Sequence, residues 1–280
     1  MRIRIFHTPK MIKKLIYILL IPIFCSCGEY QKALKSTDYT YKFEYAKKAF
    51  EEGKYVQSST LLKDVITVFK GSDKAEESLY LLGLSEFENK DYLSASSYFK
   101  SYYTRYPKGK YTELARYYCG YGYYLESPEP QLDQTDTYLA IKELQAFLDY
   151  FPKSDMVPVA QQAIFELQDK LTLKELENAQ LYYNLGTYMS TAQNNNYASA
   201  IIVAKNAIKD YPYSKYKEEL EMLILKSRYQ EANLSIEEKK VDRFREVVDE
   251  YYSFVNNFPD SRYREEADNI LKIAQKYVKD

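Results

Sequence analysis

Tryptophan is absent from this 280-residue chain, and histidine occurs once, at His7. Without a second imidazole, the commonest metal ligand and neutral-pH proton carrier is all but missing. Cysteine is scarce too, with Cys25 and Cys27 close to the N-terminus and Cys119 alone inside a helical pattern. Cys119 therefore reads as a small buried residue with no disulfide partner in the body of the chain. The eight glycines are scattered and form no phosphate-cradling loop, and no segment shows strand periodicity. Adjacent carboxylates such as Glu76-Glu77 and Glu265-Glu266 do not make an acid and base pair. On a helix, neighbouring side chains diverge by about 100 degrees and do not converge on one substrate. Composition thus argues against an enzyme, and neither a metal nor a diffusible cofactor is expected.

Long apolar runs are also missing. Lys13 and Lys14 precede the ten-residue stretch Leu15–Phe24, which ends at Cys25-Ser26-Cys27-Gly28. A bilayer span needs about 20 apolar residues, so this segment reads as a secretory signal. A small residue before a cysteine is the lipoprotein form of such a signal, with residues 1–26 removed and Cys27 carrying the lipid, the only prosthetic group expected. Cys25 is the competing acceptor, but bulky Phe24 would then occupy the position that wants a small side chain. An ordinary cleaved signal and an uncleaved interfacial anchor are the alternatives, and Met11 is a second candidate start. Removing residues 1–26 takes five Lys or Arg and no acid from totals of 39 and 40, leaving 34 against 40 and a net charge of −6. No basic block remains, which excludes nucleic acid as a partner, since that needs a concentrated positive face.

What the chain does have is a repeat. Tyr106-Pro107-Lys108-Gly109, Phe151-Pro152-Lys153-Ser154, Tyr211-Pro212-Tyr213-Ser214 and Phe258-Pro259-Asp260-Ser261 recur at intervals of 45, 60 and 47 residues. Phe69-Lys70-Gly71-Ser72, 37 residues before the first, is the same punctuation without proline. Each copy closes an apolar stretch of helical period, and proline cannot extend a helix, so the copies divide the chain into five units. In the second unit Leu79, Leu82 and Gly83 face one way, Asn89-Lys90-Asp91 makes a turn, and Tyr92, Ala95, Phe99 and Tyr102 form the next stripe. Gly83 costs helix propensity and predicts a close helix approach, as does Gly120 in the third unit.

Two places depart from this grammar. Glu126–Asp136 inserts two prolines and several acids, predicting a long solvent-exposed loop, and residues 156–193 predict one long or kinked helix. The final stripe, Tyr263, Ala267, Ile270, Leu271, Ala274 and Tyr277, predicts a capping helix. The expected fold is all-α, a superhelix of about five helical pairs over residues 39–280 with a C-terminal cap, preceded by a lipidated polar tether at residues 27–38.

The small residue of the first helix, the aromatic, Ala and Phe of the second, and the closing Pro resemble the tetratricopeptide repeat. Gly83, Tyr92, Ala95, Phe99 and Pro107 match it best, although Leu79 stands where that repeat usually has tryptophan. Together with the lipid-type cysteine, the number of units and the insertion from Ser127-Pro128 to Leu132-Asp133-Gln134, the whole chain resembles the BamD family, lipoproteins of the outer-membrane β-barrel assembly machinery. The insertion is similar to that of Bacteroidetes-type members.

The resemblance implies a non-catalytic scaffold held by its lipid at the periplasmic face of the outer membrane. It implies binding of a BamA-type barrel protein through C-terminal repeats, further assembly-machine subunits, and unfolded outer-membrane proteins whose C-terminal signals meet the N-terminal repeats. A scaffold for another envelope complex, such as cell-wall synthesis, uses the same fold. With 32 tyrosines, the chain is rich in a side chain frequent at interfaces. Tyr117, Tyr121 and Tyr124 recur at helical spacing and, with Tyr80, map to the inner helices of units two and three. Lys47, Phe50 and Phe87 join them as groove candidates by repeat position. Inter-repeat packing is the competing role for all these rings. Replacing Cys27 by alanine is expected to move the chain from the membrane to the soluble fraction after a high-salt wash; retention there would mean that protein contacts, not acyl chains, hold it.

Overall fold

A computed structural model describes residues 28–72, 74–188 and 195–278. The signal at residues 1–26, the alternative start Met11 and both lipid candidates, Cys25 and Cys27, lie outside the described residues. Among those described there are twelve helices and no strand. Residues 28–35 form α1. The remaining helices are α2 Tyr39–Glu51, α3 Tyr55–Val68, α4 Lys74–Glu88, α5 Tyr92–Arg105, α6 Thr112–Glu126, α7 Thr135–Tyr150, α8 Val157–Leu185, α9 Asn196–Asp210, α10 Lys217–Asn233, α11 Glu237–Asn257 and α12 Arg264–Val278. The ten helices α2 to α11 are the five expected pairs, and α12 is the cap. The chain divides into two compact units: one runs to Glu126 and takes in Lys142–Val157, the other holds Ser127–Ile141 and everything from Pro158.

The recurring motif is a helix-ending turn. Tyr106, Tyr211 and Phe258 leave the helical region, with φ between −123° and −133° and ψ between 66° and 72°. That conformation follows from the next residue, because the proline ring clashes with a helical predecessor. Phe69, whose successor is not proline, stays helical at φ −75°, ψ −2°. In all five copies the aromatic carbonyl accepts the N–H three residues on, at Ser72, Gly109, Ser154, Ser214 and Ser261, over 2.8–3.2 Å. A carboxylate from an earlier helix often fastens the turn. Asp169 accepts the Ser214 hydroxyl at 2.7 Å, and Glu218 accepts that of Ser261 at 2.6 Å. Glu76 accepts the Lys110 backbone N–H at 2.6 Å.

In the first unit, Phe43, Ala46, Ala49, Leu61, Leu62 and Val65 of α2 and α3 close one core. Ala33 of α1 is fully buried in it, and the Tyr30 ring lies 6.4 Å from that of Tyr45. The expected polar tether is therefore wrong over residues 28–35: these residues are helical and seat Tyr30, Ala33 and Leu34 on the first pair. A second core joins Leu79, Ala95, Phe99, Tyr102, Ala115 and Cys119. Both glycines predicted to allow close approach do so. A Cβ at Gly83 would lie 2.8 Å from the Phe99 ring, and one at Gly120 would meet the Leu144 side chain and backbone at 2.8–2.9 Å.

In the second unit α8 is a single helix of 29 residues, as the stretched interval predicted. Leu220 to Leu225 of α10 are all buried, because this helix is covered on both sides; Glu221 within that run accepts the Asn257 side-chain amide at 2.9 and 3.1 Å. On one side the helix meets Ala204 and Ala207 of α9, and on the other Phe244, Val247 and Phe254 of α11. α12 ends the stack with Ala267, Ile270 and Ala274 inward, and its Tyr277 ring stacks on Phe244 at 4.1 Å.

The insertion is more ordered than its composition suggested. Glu129 and Asp133 are exposed as expected, but Pro130 and Gln134 are buried. The Gln134 amide donates to the carbonyls of Glu129 and Leu132 at 2.8 and 3.2 Å, standing in for the backbone donors that two prolines and an irregular path remove. Lys170 and Lys174 of α8 cap the carbonyls of Ser127 and Leu132 at 3.0 Å each.

Gly120→Ala is expected to destabilise the first unit by about 1–3 kcal/mol, because its methyl group meets backbone as well as a side chain. Urea unfolding followed by circular dichroism measures the loss, and Gly28→Ala, which meets nothing within 4 Å, serves as the neutral control.

Candidate functional site

The face carried by α4 and α6 is built from rings. Tyr117, Tyr121 and Tyr124 stand at i, i+4 and i+7 on α6, so they rise one above another along one side of the helix. Their rings stack, with centroids 5.3 and 5.2 Å apart and planes within 26°. Phe87 of α4 lies beside the ladder, 6.4 Å from Tyr121 and nearly parallel to it. Tyr118 ties the ladder to the core, edge-on to Phe87 at 5.0 Å and stacked on Phe99 at 5.4 Å.

Burial separates the candidates. Tyr80 and Tyr117 are 7% and 6% exposed, so their rings fill the interior. Phe87, Tyr121 and Tyr124 are half-buried and keep an edge at the surface. Packing and presentation thus coexist on one helix. Tyr80 is stacked on Tyr111 at 4.3 Å and 2°, a partner the sequence reading missed. Tyr111 and Tyr118 are seven residues apart, and that helical spacing was the available signal. Lys47 and Phe50 do not join the ladder. Lys47 is bound to Glu77 of α4 at 2.7 Å, an ion pair that raises the lysine pKa, and Phe50 meets Tyr55 edge-on at 5.4 Å.

The neighbouring carboxylates are engaged elsewhere. Glu76 accepts the Tyr102 hydroxyl at 2.5 Å while Glu77 binds Lys47, so the two point to different partners. Buried Glu143 accepts the Tyr103 hydroxyl at 2.8 Å and the Lys100 ammonium at 2.9 Å. No group of His, Cys, Asp and Glu among the described residues is placed to hold a metal ion, and no described helix is long and apolar enough to cross a membrane.

Burial also sets the titration of this region. The Cys119 thiol is pushed up to about 12, first by desolvation and next by Glu143, and Tyr117 is pushed up to about 12 by desolvation. Tyr80, Tyr102 and Tyr103 are raised for the same leading reason. These acids ionise more readily when unfolded, so the stability they contribute is complete below their ordinary values, 9.0 for the thiol and 10.0 for tyrosine, and is lost as pH rises through the folded ones. The melting temperature is expected to hold steady up to pH 9 and to fall steeply between pH 10 and 12 in calorimetry. A flat profile to pH 12 would contradict the burial of these rings.

The model of the YfiO family, described as an outer membrane lipoprotein, matches residues 36–196, more than half of the chain. No curated protein matches the chain.

Proposed function

The chain belongs to the YfiO family of outer membrane lipoproteins, and from that premise we propose that it is a non-catalytic scaffold of the β-barrel assembly machinery. In this reading acyl chains on Cys27 hold it at the periplasmic face of the outer membrane, and its C-terminal repeats bind a BamA-type barrel protein. Its first unit receives the C-terminal segments of unfolded outer-membrane proteins.

The observation that supports the last step is the ladder of Phe87, Tyr121 and Tyr124, ring edges at the surface beside the buried ring of Tyr117. Half-buried tyrosines offer a large contact area already ordered before binding, and their hydroxyl tips accept or donate to a passing backbone. Segments ending in aromatic side chains suit such a surface, because offset and edge-on ring contacts tolerate differences in exact sequence. The absence of a concentrated basic face fits a peptide rather than a polyanion.

Two measurements test the proposal. Purification of the tagged lipoprotein from native membranes in mild detergent is expected to recover a large barrel protein with periplasmic repeat domains. Recovery of cell-wall synthases without such a barrel would assign the scaffold to another envelope complex. For the ladder, the double variant Tyr121→Ala/Tyr124→Ala is expected to bind a fluorescent peptide with a C-terminal aromatic residue about tenfold more weakly. Unchanged affinity with an unchanged melting temperature would remove the ladder from the binding surface.

A further inference from the structure

The second unit holds a cleft of about 440 Å³ between α8 and α10, well away in sequence from the aromatic ladder. Its walls expose mostly apolar surface, from Leu176 and Leu181 on one side, Met222 and Leu223 on the other and Tyr263 at one end, with polar side chains such as Glu177, Glu219 and Lys226 among them. Leu181 is 57% exposed, and Leu185, one turn further on, also reaches the surface. Apolar side chains of this size left open beside a concavity mark an interaction surface.

The charges around the cleft are unequally matched. Lys226 is neutralised by Glu266 at 3.0 Å, and one oxygen of Glu219 accepts from Arg262. The other, Glu219 Oε2, is buried with no hydrogen-bond partner. Glu177 is held only by a neutral donor, the Gln131 side-chain amide at 2.8 and 3.0 Å, and has no cation among its described partners. The orphaned buried acceptor of Glu219 calls for a donor from outside, and the exposed Glu177 carboxylate beside it, which has no cation of its own among its described partners, favours a cationic one.

We propose that this cleft docks an amphipathic helix of a partner protein, with apolar residues three or four apart and a lysine or arginine beside them. Both walls are helices whose backbone groups are spent on their own ladders. An extended segment lying there would bury N–H and C=O groups unpaired, whereas a helix brings its own satisfied. The apolar stripe covers Leu176, Leu181 and Leu223, and the cation reaches Glu219 Oε2 and Glu177. The inference deepens the scaffold reading by stating the chemistry of one partner segment, and it rests on that reading only in supposing a protein partner.

The test uses the full-length lipoprotein in native membranes, with a photoreactive benzoylphenylalanine in place of Leu181 and, as a control, in place of Tyr252, an exposed ring on α11. The crosslinked peptide is sequenced by mass spectrometry. The Leu181 probe is expected to mark a helical segment bearing a Lys or Arg among spaced apolar residues, and the Tyr252 probe to leave that segment unmarked. Yield is expected to fall about tenfold in Glu177→Gln/Glu219→Gln, which keeps side-chain size and removes charge. An unchanged melting temperature for that variant excludes unfolding as the cause. No crosslink at Leu181, a crosslink to an acidic segment or to a second copy of this chain, or a yield indifferent to the two carboxylates would overturn the proposal. A basic, apolar segment from a protein outside barrel assembly would leave the cleft's role standing while removing the assembly reading. Co-purification of the barrel with a silent Leu181 probe would do the reverse.

Discussion

Paired helices in this chain come close because large side chains fill space that other positions leave empty. Phe99 of α5 occupies the volume where a side chain at Gly83 would stand, and Leu144 of α7 does the same at Gly120. Protein interiors are packed at crystal density, so such a contact has almost no slack. It sets the distance between helices, and that distance decides which rings are covered and which remain at the surface. The aromatic–proline turns matter for the same reason: they end each pair at a fixed point, so the next first helix starts where its small residues can meet their partners.

The aromatic content then has two consequences. Rings next to the close contacts, Tyr80, Tyr102 and Tyr117, are sealed and their hydroxyls become poor acids. Rings one turn further along α6 emerge at the surface in a stacked column. Sealed and surface-exposed rings are therefore neighbours on the same helix, separated by 5.2 Å between Tyr121 and Tyr124 and by 5.3 Å between Tyr121 and Tyr117. The polar groups that folding buries are mostly answered, as where Glu143 receives both Lys100 and Tyr103. That contrast gives the unanswered Glu219 oxygen in the second unit its meaning.

Much of this architecture could be read from the chain. Proline and glycine act locally, through the conformations that they forbid or allow, so the four Tyr/Phe-Pro turns, the long α8 and the glycine crossings were legible. Residues 28–35 were misread because Glu29, Gln31, Lys32 and Lys35 dominate their composition, while Tyr30, Ala33 and Leu34 decide their packing. The insertion looked like an open loop because nothing in its spacing says that Gln134 will turn inward and bind the loop's own carbonyls. Tyr111 was passed over since its stacking partner, Tyr80, lies 31 residues away.

Sequence alone determined the helical class, the number of pairs, the aromatic–proline turns that close four of them and the rarity of imidazole and free thiol, because these depend on backbone stereochemistry and on which atoms are present. Only tertiary structure decided which tyrosines are core and which are surface, where the carboxylates point, and that α8 and α10 leave an apolar cleft with an unmet acceptor. Those outcomes depend on distances between residues far apart in the chain, and they exist only once the helices have closed on one another.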